Sequence, residues 1–399
     1  MNDVSNRPVV RLKPKANARA LRHGALWVFD SDLVTDRRTK ALTPGSLAIL
    51  EDAGRQPIGL AAINCESRIM ARILDRDLEA VIDQAWFELR FRRALALRER
   101  LFDVPFYRLI NAEADDMPGV IIDRFGDTAV LQPNAAWAEV HLDPMVAALA
   151  AVTGVQVILK NAGGRSRTLE GLDDVAMTLL GDTPDAPLPI PMNGATYMAD
   201  LIGGQKTGLF YDQRPNHAFA ANLAKDADVL DVFSHVGGFA LSTLAGGAKS
   251  AISVDGSAAA LALAEEGAEQ MGVQDRFSTR RGDAFSVLTA LAEEGAQFDV
   301  VICDPPSFAP SKKALEAGLR AYERVARLAA PLVKEGGTLV LCSCSHAATL
   351  DKFRAACARG IGRADRTGRV IHTGFAGPDH PQMPHMAETG YLKALFFSL

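Results

Sequence analysis

The sequence predicts an α/β protein whose C-terminal half is a Rossmann-like parallel sheet, preceded by a small β-rich domain and a middle α/β segment. Three observations predict it. From about residue 227 onward, apolar strand-like runs alternate with helix-like runs, the pattern of a parallel sheet covered on both faces. Residues 1–75 instead carry short β-like runs broken by turn residues, PVVRLKP, SLAILEDAGRQPIGLAAI and SRIMARIL. A proline-rich stretch at 182–194, DTPDAPLPIPMNG, reads as an extended connector and marks a boundary near it. The expected domains are therefore 1–75, 76–190 and 191–399.

Along the chain, residues 78–101 repeat apolar positions at spacings of three and four, which predicts an amphipathic helix. Its Arg90, Arg92, Arg93, Arg98 and Arg100 read first as a solvated face, with a track for RNA phosphates as the rival reading. The run YRLINAEADDMPGVIIDRFGDTAVLQ predicts a β-meander, and VHLDPMVAALAAVTG a helix. In the C-terminal half the expected strands are ADVLDVF, SAISVD, FDVVICD, TLVLCSCS, GRVIHTGF and YLKALFFSL. The expected helices are GGFALSTLAGG, SAAALALAEEGAEQMG, KKALEAGLRAYERVARLAAPLVKEG and ATLDKFRAACARG.

Composition sets outer limits. Of 399 residues, 48% are hydrophobic and 23% charged, an ordinary globular balance. A net charge of -5 argues against a sequence-blind nucleic-acid binder. Residues 1–80 hold 13 Lys/Arg against 10 Asp/Glu, so a mild positive bias sits at the N-terminal end. The first residues lack the apolar segment of a signal peptide, and no apolar run suggests a membrane span. Cys65, Cys303, Cys342, Cys344 and Cys357 are too few and too scattered for a disulfide framework or a zinc site, which points to the cytoplasm and to no bound metal.

Four segments place chemistry at the ends of the expected strands. In DVFSHVGGF the strand carrying Asp231 ends near Phe233 and Ser234, and Gly237 and Gly238 open a helix, a geometry that lets backbone approach a ligand. In SVDGS, Asp255 and Gly256 end the next strand; a carboxylate there can accept from both ribose hydroxyls of an adenosine cofactor, or cap the following helix. In RRGDAF, Asp283 and Ala284 follow a further strand, where the aspartate can bind an adenine amino group or simply close a turn. In CDPPSF an apolar strand delivers Asp304, and Pro305 and Pro306 stiffen the backbone and leave their carbonyls free to accept from a base amino group.

Two more segments complete the set. In CSCSH, Cys344 ends the strand after the Asp-Pro-Pro segment; a thiolate there is the natural nucleophile for pyrimidine carbon-6, and a small buried hydrophobe is the other reading. Cys303 reads as core. In GGQKTGLFYDQRPNH, polar residues that include Gln205, Lys206, Thr207, Gln213 and Arg214 interleave with Phe210 and Tyr211, as a clamp for a cofactor carboxylate and adenine, or as a solvated loop.

Together these segments, with VVRLKPKANARALRHGALWVFDSDL, INAEADDMPGVIIDRFGD, DHP and GYLKALFF, resemble the bacterial large-subunit (23S) ribosomal RNA cytosine carbon-5 methyltransferases that carry an N-terminal PUA domain. The resemblance spans nearly the whole chain. It implies a PUA domain, a middle α/β domain and a class I methyltransferase domain. It also implies S-adenosylmethionine held around Phe233 to Gly238, Asp255 and Asp283, with Asp304 at the reaction centre and Cys344 attacking the base. Relatives suggest a monomer or homodimer. In the wider group a second cysteine often follows the motif aspartate. Pro305 and Pro306 occupy that stretch here, so Cys344 acts without that helper. His217 stands where relatives carry arginine. Phe308 is expected to stack on an extruded base. Methylation of guanine nitrogen-7 or of a base amino group is the alternative within this fold. A nicotinamide oxidoreductase is the alternative outside it, and the missing GxGxxG argues against that.

Overall fold

The computed structural model describes residues 7–203 and 208–399. The chain forms two compact units: residues 1–184 with 378–389, and residues 185–377 with 390–399. Among the described residues, no helix is long and apolar enough to cross a membrane.

The first unit begins with β1 (Val9–Arg11), β2 (Trp27–Phe29), β3 (Ser46–Glu51), β4 (Pro57–Ile63) and β5 (Ile69–Asp75), in the sheet order β1-β3-β4-β5-β2. Strand β4 explains how this sheet joins the rest of the unit. Side chains alternate across a strand, and here both sets are apolar. Ala61 and Ile63 pack with Val10, Val28 and Leu50, whereas Leu60 and Ala62 pack with Trp86, Phe87 and Tyr107. A strand buried on both faces reads as a continuous apolar run, as IGLAAI does.

Helix α1 (Gln84–Glu99) starts where the Asp83 carboxylate accepts from the Trp86 N–H at 3.0 Å, a side-chain N-cap. It buries Trp86, Phe87, Phe91 and Ala94. Its arginines do not behave as one face. Arg92, Arg93 and Arg100 are exposed, but Arg90 and Arg98 are buried, which corrects the reading of the whole set as solvated or phosphate-binding. Arg90 binds Asp75, and its guanidinium lies 3.3 Å from the Trp86 ring centroid. Arg98 makes two 2.7 Å bonds to Asp115 and donates to the carbonyls of Arg108 and Asp379. A carboxylate and two carbonyls offset the cost of burying the cation.

The expected meander is β6 (Phe106–Asn111), β7 (Val120–Phe125) and β8 (Thr128–Pro133). Helix α2 (Leu142–Thr153) then carries the chain to β9 (Val157–Lys160), parallel to β8, and β10 (Met177–Leu180) closes the edge. The Asp-His-Pro segment returns to this unit. The Arg108 N–H donates to Asp379, and Asn111 donates to the Pro381 carbonyl.

The second unit opens with a hairpin, β11 (Leu188–Met192) and β12 (Ala195–Ala199), joined by Asn193 and Gly194, both at positive φ, a two-residue turn suited to strand twist. The proline-rich stretch is thus half strand rather than a plain connector. Pro189 and Pro191 take outward positions while Ile190 and Met192 are buried, which a strand with a free edge tolerates. After α3 (Arg214–Leu223) the main sheet follows: β13 (Asp228–Val232), α4 (Gly238–Ala245), β14 (Ser250–Asp255), α5 (Ala258–Gln270), β15 (Phe277–Arg281), α6 (Ala284–Glu293), β16 (Phe298–Cys303), α7 (Leu315–Ala329), β17 (Val333–Ser343), α8 (Leu350–Gly362), β18 (Arg369–Gly374) and β19 (Lys393–Ser398). The order is β15-β14-β13-β16-β17-β19-β18. Strands β13 to β17 are parallel, and β19 is antiparallel between β17 and β18. The order reverses between β13 and β16, the position at which open α/β sheets bind ligands.

Candidate active site

The loop leaving β13 is strained. Phe233, His235 and Gly237 all have positive φ, at 63°, 51° and 78°. For non-glycine residues such backbone is costly and concentrates at functional sites. Three bonds hold it: Ser234 N–H to the Val254 carbonyl, His235 N–H to Asp255 Oδ2, and Ala240 N–H to Asp231 Oδ2. Asp255 therefore braces this loop and also accepts from the Ser257 N–H. The cap of α5 is Ser257, not Asp255. Gly256 beside it is exposed.

The two glycines are explained by packing as much as by any ligand. A Cβ on Gly237 would meet Ala264 at 3.1 Å, and one on Gly238 would meet the His217 ring at 2.9 Å. His217 is buried against Phe239, with ring centroids 4.4 Å apart, and burial depresses its pKa to about 3. Asp231 is fully buried, and burial followed by the charge of Asp255 pushes its pKa up to about 7, against the pull of the Ala240 N–H.

These two groups give opposite pH slopes. The neutral Asp231 favours the fold below its ordinary value, and that stability is lost as pH rises through about 7. Neutral His217 favours the fold above its ordinary value, and that stability is lost as pH falls through about 3. Asp231→Asn removes only the first. The melting temperature of the variant relative to the parent is expected to rise steadily from pH 4 to pH 8; a flat difference across thermal melts would mean that Asp231 is ionised throughout.

Asp283 caps α6, accepting at Oδ1 from the Ser286 N–H and hydroxyl, both at 3.0 Å, while Ala284 is buried behind it. At the end of β16, the Asp304 N–H donates to the Val232 carbonyl, so the two central loops are joined. Asp304 Oδ2 accepts from Gln213 Nε2 at 2.9 Å, and Gln213 Oε1 accepts from Asn216. Gln213, expected to face the cofactor, thus directs its amide to Asp304. Arg214 lies 5.2 Å from the Tyr211 ring, and Phe210 packs edge-on to His235. Gln205, Lys206 and Thr207 lie outside the described residues.

Pro305 is buried and Pro306 exposed. Phe308 is half-buried among Phe233, Phe285 and Tyr322. Much of its ring is thus committed to the core rather than free to stack. Cys344 follows the last residue of β17 and is half-buried, whereas Cys303, Cys342 and Cys357 are buried with thiols pushed up by burial.

Sequence reasoning missed the hydroxyl network under these loops. Tyr322 in α7 accepts from Ser343 Oγ at 2.9 Å and meets Ser345 Oγ at 2.7 Å. Ser345 Oγ also meets Ser307 Oγ and accepts from the Ala309 N–H. One tyrosine thus ties the Asp-Pro-Pro-Ser-Phe loop to the Cys-Ser-Cys-Ser turn, and nothing in a helical position marks it beforehand. Tyr322→Phe is expected to cost about 1–2 kcal/mol in urea unfolding, as two buried serines lose a partner, and to lower kcat while cofactor affinity holds.

Buried polar atoms remain at the mouth between β13 and β14. Asp231 Oδ1 and Ser234 Oγ have no hydrogen-bond partner among the described residues, and such groups call for one. Among the described residues, no cluster of His, Cys, Asp or Glu is arranged to hold a metal ion.

Comparison with known proteins accords with this geometry. The family model for S-adenosylmethionine-dependent methyltransferases matches residues 143–398, and that for PUA-like domains matches residues 10–76. A ribosomal RNA large subunit methyltransferase I from Alteromonas mediterranea is 35% identical over 97% of each chain. One from Pseudoalteromonas translucida is 33% identical over 94% of this chain and 96% of its own. A solved Streptococcus mutans structure, described as an S-adenosylmethionine-dependent methyltransferase, superposes with a TM-score of 0.83 at 20% identity, covering 98% of this chain and all of that one. The oxidoreductase alternative falls away. The chain belongs to the ribosomal RNA large subunit methyltransferase I family, and it is an S-adenosylmethionine-dependent methyltransferase with an N-terminal PUA-like domain.

Proposed function

We propose that this enzyme methylates carbon-5 of a cytidine in 23S ribosomal RNA through a covalent adduct with Cys344. One observation carries the reading: the half-buried thiol of Cys344 stands at the carboxyl end of β17, beside the β16 end that bears Asp304, while the other cysteines of the unit are buried. Carbon-5 of cytosine is a poor nucleophile until carbon-6 has been attacked. Addition of the Cys344 thiolate forms the sulfur–carbon-6 bond and places electron density on carbon-5. Ring nitrogen-3 takes up a proton from water as the sulfur adds, which neutralises the adduct; the Asp304 carboxylate can then accept from that N–H, and the Pro305 and Pro306 carbonyls from the base amino group. Once carbon-5 has taken the methyl group, water removes the carbon-5 proton, its electron pair re-forms the 5,6 double bond, the thiolate leaves, and nitrogen-3 gives up its proton. The relatives' name supports large-subunit ribosomal RNA as substrate.

S-adenosylmethionine supplies the electrophilic methyl group when bound. Phe233, Ser234, Gly237 and Gly238 form its cradle on this reading, Asp255 and Gly256 meet the ribose, and Asp283 and Ala284 the adenine. Phe210, Asp231, Gln213 and Arg214 shape the surroundings of that cradle, and Gln213 acts through Asp304. Asp255→Ala is expected to weaken S-adenosylmethionine binding at least tenfold by calorimetry, since the ribose loses an acceptor and the strained loop a brace. On this reading the enzyme works in the cytoplasm, where thiols stay reduced and its five cysteines form no disulfide, as a monomer or homodimer.

The test is nucleoside analysis. Purified enzyme is incubated with labelled S-adenosylmethionine and unmodified 23S ribosomal RNA, and the RNA is digested and resolved by mass spectrometry. Label in 5-methylcytidine supports the reading. Label in 7-methylguanosine, or on an exocyclic amine, overturns it.

A further inference from the structure

Strand β19 reads Lys-Ala-Leu-Phe-Phe-Ser and is an interior strand of its sheet. A lysine in such a strand is costly unless the charge is used or satisfied. Lys393 is buried and pairs across the ladder with Ser343, the residue before Cys344. Its Nζ donates to the carbonyls of Ser345 and Ala348, each at 2.8 Å. The ammonium therefore sits under the turn that starts at Cys344. Two of its three donors hold that turn closed, and among the described residues it forms no ion pair with a carboxylate.

Deepening the assignment of Cys344 as nucleophile, on which this rests, we propose that Lys393 is a positioning residue for that thiol, fixing the Ser345–Ala348 turn and supplying the positive charge that favours the thiolate. Other groups face the same corner: Tyr322 from α7, Asp304 from the end of β16, and Cys342 from β17. The Asp304 carboxylate opposes a neighbouring thiolate, and the Tyr322 hydroxyl is held neutral by burial, so the cation has an opposing charge to overcome. Burial lowers the Lys393 pKa to about 8 and the Cys344 charge draws it back up, so the ammonium is the main form at neutral pH. Lys393 keeps its proton throughout. Its part is to lower the cost of the anionic sulfur before attack and after departure.

The test reads the thiol directly. Enzyme without S-adenosylmethionine is treated with iodoacetamide between pH 5.5 and pH 10, and carbamidomethylation of the Cys344 peptide is timed by mass spectrometry in the parent, Lys393→Arg and Lys393→Met. The parent inflection is expected at least about one unit below the ~8.5 of an ordinary cysteine. Lys393→Met should move it up by about one unit, slowing the reaction roughly tenfold at pH 7 while leaving the alkaline plateau unchanged. Lys393→Arg should stay near the parent. A parent inflection at or above the ordinary value overturns the proposal without any variant. So does a Met variant whose rate changes equally at every pH, the mark of a turn that has merely loosened. Failure of the underlying assignment would show elsewhere, as 5-methylcytidine formed by Cys344→Ala.

Discussion

Cys344→Ala protein is expected to form 5-methylcytidine at least ~10³-fold more slowly than the parent, a barrier increase of about 4 kcal/mol. The size follows from the chemistry. Without a sulfur at carbon-6, carbon-5 of cytosine has no electron pair to offer, and no positioning of the methyl donor compensates. The side chain is half-buried at a strand end, so its loss opens little cavity, and the melting temperature should hold within a few degrees. Affinity for S-adenosylmethionine should also hold, since the loops after β13 and β14 are untouched. Single-turnover assays with labelled cofactor, paired with calorimetry, separate these quantities. A variant that retains product formation within tenfold would remove the covalent route while leaving the methyltransferase fold intact.

Arg98→Ala is expected to destabilise the first unit by about 3–5 kcal/mol, because breaking a buried ion pair strands its partner. The guanidinium is fully buried and holds both oxygens of Asp115. Without it Asp115 keeps the Asn111 N–H but little else to balance its charge, and the carbonyls of Arg108 and Asp379 lose a donor. A domain is stable by only about 5–15 kcal/mol, so the variant should unfold at markedly lower urea in circular dichroism. Arg92→Ala, at an exposed position on the same helix, should shift the midpoint hardly at all. Equal effects from the two would contradict the buried anchor.

The contrast between those arginines marks where sequence reading stops. The helix was legible because Trp86, Phe87, Phe91 and Ala94 recur on one side, but Arg90 and Arg98 look the same as Arg92 and Arg93 on paper. Only the distant Asp75 and Asp115 separate them. The parallel sheet was legible because β13, β14, β16 and β17 are apolar runs with Asp231, Asp255, Asp304 and Cys344 at or next to their carboxyl ends. Strand β15 and helix α6 were harder to read, since β15 (Phe-Ser-Thr-Arg-Arg) lies at the sheet edge and is barely buried. Prolines hid β11, because an outward alternating position spares them the hydrogen bond they lack. At the site, the acidic residues at strand ends followed from position alone. Gln213 bonded to Asp304, and Tyr322 bridging two serine loops, depend on contacts between segments about 91 and 21 residues apart. The one legible hint for Lys393 was a charge inside an apolar strand.

Strand order carries a consequence for how the enzyme is made. Strand β19 lies between β17 and β18, yet the ribosome produces it after both. While the nascent chain is short of it, β18 has no partner in the sheet and one side of β17, from Thr338 to Ser343, is an open edge. Such edges invite wrong pairing. The residue that closes the turn below Cys344 also arrives on this strand. A newly synthesised molecule can hold its central strands in place before the turn at Cys344 is braced, so on the proposed mechanism competence for chemistry waits until β19 has followed β18 from the ribosome.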